Sequence, residues 1–155
     1  MKFNRNIQLK TTVKSTLSDL FTPIGIYLRL RDQFRDTILL ESAGNQNNDN
    51  NFSFIAVNAI AGIEIRNYQE AHIKFPLESA EKINIEKEKL TDLLQDFSQS
   101  FECEEPNLPI GKSAQGFFGY TSYDAIPFFE NIKFKEASEE NKIPLLRYRL
   151  YQYVI

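Results

Sequence analysis

His72 and Cys103 are the residue types that most readily bind metals or move protons, and the chain carries one of each, in different predicted elements. A zinc site needs three or four such ligands clustered together, so no such centre is expected, and spacing gives no support to a carboxylate-only magnesium site. His72 falls in a predicted hairpin arm and is expected as an ordinary surface or edge histidine. Cys103 has Glu102, Glu104 and Glu105 beside it, and negative neighbours work against the thiolate that a nucleophile needs. Gly116 and Gly119 do not form a phosphate cradle, because the third glycine, the lysine and the following helix are missing. Glycine in an aromatic strand instead signals close approach of another backbone.

Glu41 and Ser42 end the apolar run Ile38-Leu39-Leu40, and two readings stand open for them. In the first, a strand stops there, the serine bonds a backbone group in the turn, and the carboxylate meets water or a nearby lysine. In the second, an ionised carboxylate beside a core keeps its charge only with a partner. The ammonium of an amino acid ligand supplies one through a charge-assisted hydrogen bond, and an indole would fill the apolar space next to it.

The elements that must position these residues follow from periodicity. Ile7, Leu9, Thr11 and Val13 alternate with polar neighbours and predict a first strand. Thr22-Pro23 offers an N-cap with proline at the first helical position, and the spacing predicts a helix from about Pro23 to Gln33. Thr37 to Ser42, apolar on both faces, suits a central strand. Gly44 to Asn51 is a polar, amide-rich loop. Phe52 to Ile65 and Ala71 to Phe75 repeat at period two on either side of a turn at Asn67–Glu70, which predicts a hairpin. From about Ile85 to Glu102 the period becomes helical, with Leu90, Leu93, Leu94, Phe97 and Phe101 on one face. Pro106, Pro109 and Gly111 break that helix. A strand is expected at about Ala114 to Tyr120, then a short proline-disturbed helix over Tyr123 to Glu130, an acidic surface loop from Lys135 to Lys142, and a last strand over Pro144 to Ile155.

Composition narrows the function classes. With 155 residues, 42% hydrophobic and 13% aromatic, the chain suits one domain with a real core. A net charge of −3, from 18 basic and 21 acidic side chains intermingled, provides no basic stripe for nucleic acid. The longest apolar runs fall well short of the eighteen or so residues of a membrane helix, and the N-terminus lacks a signal's hydrophobic core. A lone cysteine suits a reducing compartment, so the cytoplasm is the expected location. The chain stops inside an apolar strand, at Tyr151-Gln152-Tyr153-Val154-Ile155, and is therefore expected to be a fragment.

Leu39-Leu40-Glu41-Ser42, together with the later Gly116-Phe117-Phe118-Gly119-Tyr120-Thr121-Ser122-Tyr123-Asp124 and Phe129-Glu130, resembles the N-terminal portion of anthranilate synthase component I. The similarity runs from about Thr11 onward. Aminodeoxychorismate synthase component I shares the architecture and several of these segments, and the Glu-Ser form of the first motif is nearer anthranilate synthase. The resemblance implies that residues 1–155 are an N-terminal regulatory and structural domain. The implied fold is α+β, with antiparallel sheets packed against helices as part of a two-sheet architecture.

The implied parent converts chorismate and ammonia to anthranilate and pyruvate. It takes ammonia from a glutamine amidotransferase partner and uses magnesium, and its catalytic and metal-binding residues lie in a C-terminal portion outside this chain. No catalytic residue, metal ligand or cofactor is therefore expected here. Leu40, Glu41 and Ser42 are implied to form part of the tryptophan feedback site, although this chain has Phe52 where some family members carry a lysine. Expected partners are tryptophan, the amidotransferase, the chain's own C-terminal portion and a second copy meeting exposed strand edges, with no nucleic acid or membrane. The N-terminal domain of an aminodeoxychorismate synthase component I and a small stand-alone ligand-binding module are the two competing classes.

Overall fold

Fifteen residues from Ser53 to Asn67, rich in Ile, Val and Phe, form one long strand around which the rest of the chain is organised. The computed structural model describes residues 3–41, 52–86, 89–132 and 143–155. Ser42, the polar loop Gly44 to Asn51 and the acidic run Lys135 to Lys142 lie outside them. In chain order the elements are β1 (Ile7–Leu9), α1 (Pro23–Leu30), β2 (Ile38–Glu41), β3 (Ser53–Asn67), β4 (Glu70–Lys74), β5 (Glu81–Asn84), α2 (Leu90–Ser98), β6 (Phe101–Cys103), β7 (Phe118–Thr121) and β8 (Leu146–Val154). Two 3-10 turns, Pro109–Ala114 and Tyr123–Phe128, complete the described structure.

The main sheet has the order β5-β4-β3-β8-β7 and is antiparallel throughout. β4 takes the Gly62–Asn67 half of β3, and β2 pairs antiparallel with the Ser53–Ala56 half. The β3–β4 hairpin closes where expected, and the Asn67 side chain accepts the Gln69 N–H at 2.9 Å. One extra residue, Ile60, sits in β3 between register pairs Ala59–Tyr151 and Ala61–Leu150. Such a bulge bends the strand, and nearby Asn58 takes φ 62°, a region that asparagine tolerates better than most residues.

The core lies between one face of this sheet and α2. Leu90, Leu93 and Phe97 repeat at helical spacing and are buried against Ala61, Ile63, Ile65, Ile73 and Leu146. Phe97 is 1% exposed. Its ring centroid lies 5.4 Å from Phe75, 5.3 Å from Phe101 and 5.2 Å from Phe117, an aromatic cluster that closes the core.

The α+β architecture with an antiparallel sheet is as the sequence led one to expect, while several boundaries differ. β1 is short and pairs parallel with β6 in a separate two-stranded sheet. Beyond it, Asn107 replaces a strand partner: its Oδ1 accepts the Val13 N–H and its Nδ2 donates to the Val13 carbonyl. α1 begins at the expected Thr22 cap, whose hydroxyl accepts the Gly25 N–H at 3.1 Å, but ends at Leu30. β2 is an edge strand, not a central one, because β3 is its sole partner among the described residues. The expected long helix is only α2. Phe101 continues the apolar face, but as part of β6, and the charged β5 precedes the helix.

Candidate functional site

The pairing of β2 with β3 sets the geometry of the Leu-Leu-Glu-Ser segment. Leu39 faces Ile55 in the register, Leu40 faces Phe54, and Glu41 faces Ser53. Leu40 is half-buried and Glu41 is exposed, so the desolvation cost implied by the preceding apolar run does not act on Glu41. No ion pair holds its carboxylate among the described residues. Phe52, next to Glu41's partner Ser53, is 49% exposed. A chain of ring contacts leads away from this corner: Phe52 to Phe54 at 6.3 Å, Phe54 to Phe118 at 5.7 Å, and Phe118 to Tyr151 at 6.4 Å between centroids. The two distant sequence motifs are thus brought into contact through Phe54 and Phe118. The corner offers a carboxylate unpaired among the described residues beside an aromatic surface, which suits an ammonium-bearing aromatic ligand.

The glycines of the second motif behave differently from one another. A Cβ on Gly119 would lie 1.8 Å from the Arg147 carbonyl oxygen, so β7 approaches β8 closely only because this residue has no side chain. A Cβ on Gly116 would meet nothing within 4 Å, and the close-approach expectation fails there. Ser122 caps the following 3-10 turn by position, yet its buried hydroxyl has no hydrogen-bond partner among the described residues.

The sheet face away from α2 carries a charged cluster that no sequence motif marks. Glu64 alternates with Ile63 and Ile65 and so points to the other face; it is 6% exposed. Its carboxylate accepts Arg66 Nε at 2.8 Å and Arg149 Nη2 at 2.7 Å, with Arg147 Nε at 3.5 Å. Arg147 also pairs with Asp36, which ties the segment before β2 to β8. Burial works to raise the Glu64 carboxyl, but the hydrogen bond from Arg66 and the charges of Arg149 and Arg147 outweigh it and hold the group below the usual range. Burial, reinforced by Asp36, pushes the neighbouring Tyr151 hydroxyl up to about 12, against the opposing arginines. Sequence offers only the alternation Ile-Glu-Ile-Arg in β3 and Arg-Tyr-Arg in β8; nothing in it signals that these strands pair.

His72 in β4 is partly buried, with Nε2 2.5 Å from Glu70 Oε1, while Glu70 also takes Lys82 at 2.6 Å. The first pair lies within β4, and the second bridges β4 and β5. Cys103 is exposed at the end of β6. Among the described residues, no three His, Cys, Asp or Glu side chains converge on a point that could hold a metal ion, and no helix is long and apolar enough to cross a membrane.

The chain is 28% identical over 142 residues to anthranilate synthase component 1 of Lactococcus lactis subsp. lactis, an alignment that covers 90% of this chain and 28% of the relative. No family model matches the chain, and no solved structure matches it. The chain thus spans little more than a quarter of the length of the curated relative, and the likeness first read from the Leu-Leu-Glu-Ser and Gly-Phe-Phe-Gly-Tyr segments extends across nine-tenths of its own residues: it resembles anthranilate synthase component I.

Proposed function

We propose that this chain is the N-terminal regulatory and structural domain of an anthranilate synthase component I, and that the parent converts chorismate and ammonia to anthranilate, pyruvate and water in the cytoplasm. The observation that carries the reading is the similarity to the Lactococcus lactis protein along nearly the whole chain. In this reading the chain is not itself catalytic. It supplies one side of a tryptophan feedback site at Leu40, Glu41 and Ser42, where the Glu41 carboxylate takes the ligand's ammonium and the surface around Leu40 and Phe54 receives the indole. The exposed Glu41 and the adjacent aromatic contacts support that role. Phe52 then contributes ring surface instead of the lysine charge found in some family members.

The parent's magnesium and its chorismate pocket belong to the C-terminal portion in this reading. The described residues provide no convergent ligand set for a metal. Glutamine amidotransferase is the proposed ammonia source. α1 buries none of its residues, and Leu17, Leu20, Ile24 and Leu28 are all exposed. An apolar surface of that extent supports a further part of the parent packing against it.

The experiment that tests the feedback role is inhibition by tryptophan, measured as anthranilate fluorescence with the full parent enzyme. Glu41→Ala and Ser42→Ala should each raise the tryptophan concentration for half-inhibition at least tenfold with kcat unchanged. Unaltered inhibition in both variants would remove this corner from the site.

A further inference from the structure

A small cavity lies on the sheet face opposite α2, away from the Leu-Leu-Glu-Ser corner. Gly62 sits in the middle of a row across three strands, opposite Lys74 on β4 and Arg149 on β8. A Cβ on Gly62 would come within 2.4 Å of the Arg149 side chain, so the arginine lies directly over bare backbone. Together with Asp36, His72 and Ala80, these three residues line a cavity of about 80 Å³.

The charges around this cavity are unbalanced. Of the charged residues that line it, Lys74 and Arg149 are cationic and Asp36 is anionic. Each carboxylate is already engaged: Asp36 by Arg147, Glu64 by Arg66 and Arg149, and neighbouring Glu70 by Lys82 and His72. Lys74 is half-buried and has no carboxylate partner among the described residues. An anion seated between Lys74 and Arg149 would supply the missing counter-charge through charge-assisted hydrogen bonds.

We propose that this cavity binds a small oxyanion, of phosphate or acetate size, between Lys74 and Arg149 over the Gly62 backbone. Its volume argues for that class, since a cavity that admits benzene is about 150 Å³ and an aromatic amino acid would not enter. The site is therefore distinct from the proposed tryptophan corner and does not rest on it.

The test is a titration of the full chain with inorganic phosphate at constant ionic strength, followed through the backbone amide resonances of Gly62 and Lys74. A parallel titration uses acetate. Saturable shifts with either anion support the site, and competition between the two shows whether a phosphate or a carboxylate group is preferred. Lys74→Gln should weaken binding at least tenfold. Ala80→Leu, which fills the cavity and leaves every cation in place, should do the same and remains decisive if Lys74→Gln does not fold. Lys82→Gln, on the adjacent strand but outside the cavity, should change affinity less than twofold. Shifts that fail to saturate with both anions, or equal losses in Lys74→Gln and Lys82→Gln, would overturn the proposal.

Discussion

Replacing Gly119 by alanine is expected to damage the sheet, whereas the same change at Gly116, three residues earlier in the same motif, is expected to be harmless. On Gly119 the new Cβ would stand 1.8 Å from the Arg147 oxygen and 2.8 Å from the Arg147 carbon and Tyr148 Cα, all backbone atoms that no rotamer change can move aside. Restoring an ordinary 3.4 Å contact requires β7 to retreat from β8 by about 1.6 Å, the difference between those two distances. A hydrogen bond stretched that far no longer counts as one. Overpacking of this kind costs about 1–3 kcal/mol, and each ladder bond lost from Phe118–Thr121 adds about 1 kcal/mol, so a loss of roughly 3–4 kcal/mol follows. β7 can detach as an edge strand, which caps the damage. Gly116 has nothing within 4 Å of an added Cβ and its φ is not positive, so alanine there should gain about 0.4–1 kcal/mol by restricting the unfolded chain. Urea unfolding followed by far-ultraviolet circular dichroism measures both, and at a slope of about 2 kcal/mol/M the Gly119→Ala midpoint should fall by roughly 1.5–2 M. A Gly119→Ala midpoint equal to wild type, or an equal loss at Gly116→Ala, would refute the close approach of β7 to β8.

Three further outcomes follow from the polar groups. The Glu64 carboxyl is held below its ordinary value, so the folded state binds that proton more weakly than the unfolded state. The stability it contributes is present above the unfolded value and drains away as pH falls through the lowered folded one. Acid unfolding monitored by circular dichroism should therefore show a smaller pH-dependent loss in Glu64→Gln, alongside a lower stability at neutral pH because the arginines lose their counter-charge. Tyr151 is raised to about 12 from 10.0, so the folded state holds its proton more tightly and stability should decline as pH climbs between those values. In tyrosinate absorbance titrations, Tyr151→Phe should remove a transition near that upper value, and its persistence would contradict the assignment. Ser122→Ala removes a buried hydroxyl that has no partner among the described residues and should leave thermal stability unchanged or raise it by about 1 kcal/mol; a loss of several kcal/mol would show that the hydroxyl is engaged.

The elements legible in the sequence were those whose local pattern and tertiary role agree. The Thr22-Pro23 cap, the Asn67–Glu70 hairpin turn and the Leu90, Leu93, Phe97 face each depend on neighbours within a turn or two, and all formed as expected. β2 misled because Ile38-Leu39-Leu40 has the composition of a central strand, yet β3 gives it only one partner and its side chains stay half-buried. The helix ends before Phe101 although that residue lies on the apolar face at helical spacing, because Phe101 packs on Phe97 from a strand. β5 and β6 are short and charged, and they are strands because β4 and β1 supply their hydrogen bonds. At the candidate site, Leu40 and Glu41 were identifiable by motif alone, while the environment of Glu41 was not, since exposure is decided by what covers β2. The Glu64 cluster is illegible because two of its three arginines, Arg147 and Arg149, come from β8, more than eighty residues away, through a pairing no local signal encodes.

Most directly at stake is the reaction of the protein encoded by the native reading frame that contains these residues. Purified and supplied with chorismate, ammonium and magnesium, it should release anthranilate and pyruvate in equal amounts, with the anthranilate followed by its fluorescence and the pyruvate by a coupled dehydrogenase. Consumption of chorismate to an amino-deoxychorismate product without pyruvate, or no consumption at all under conditions where the protein is folded, would contradict the proposed assignment.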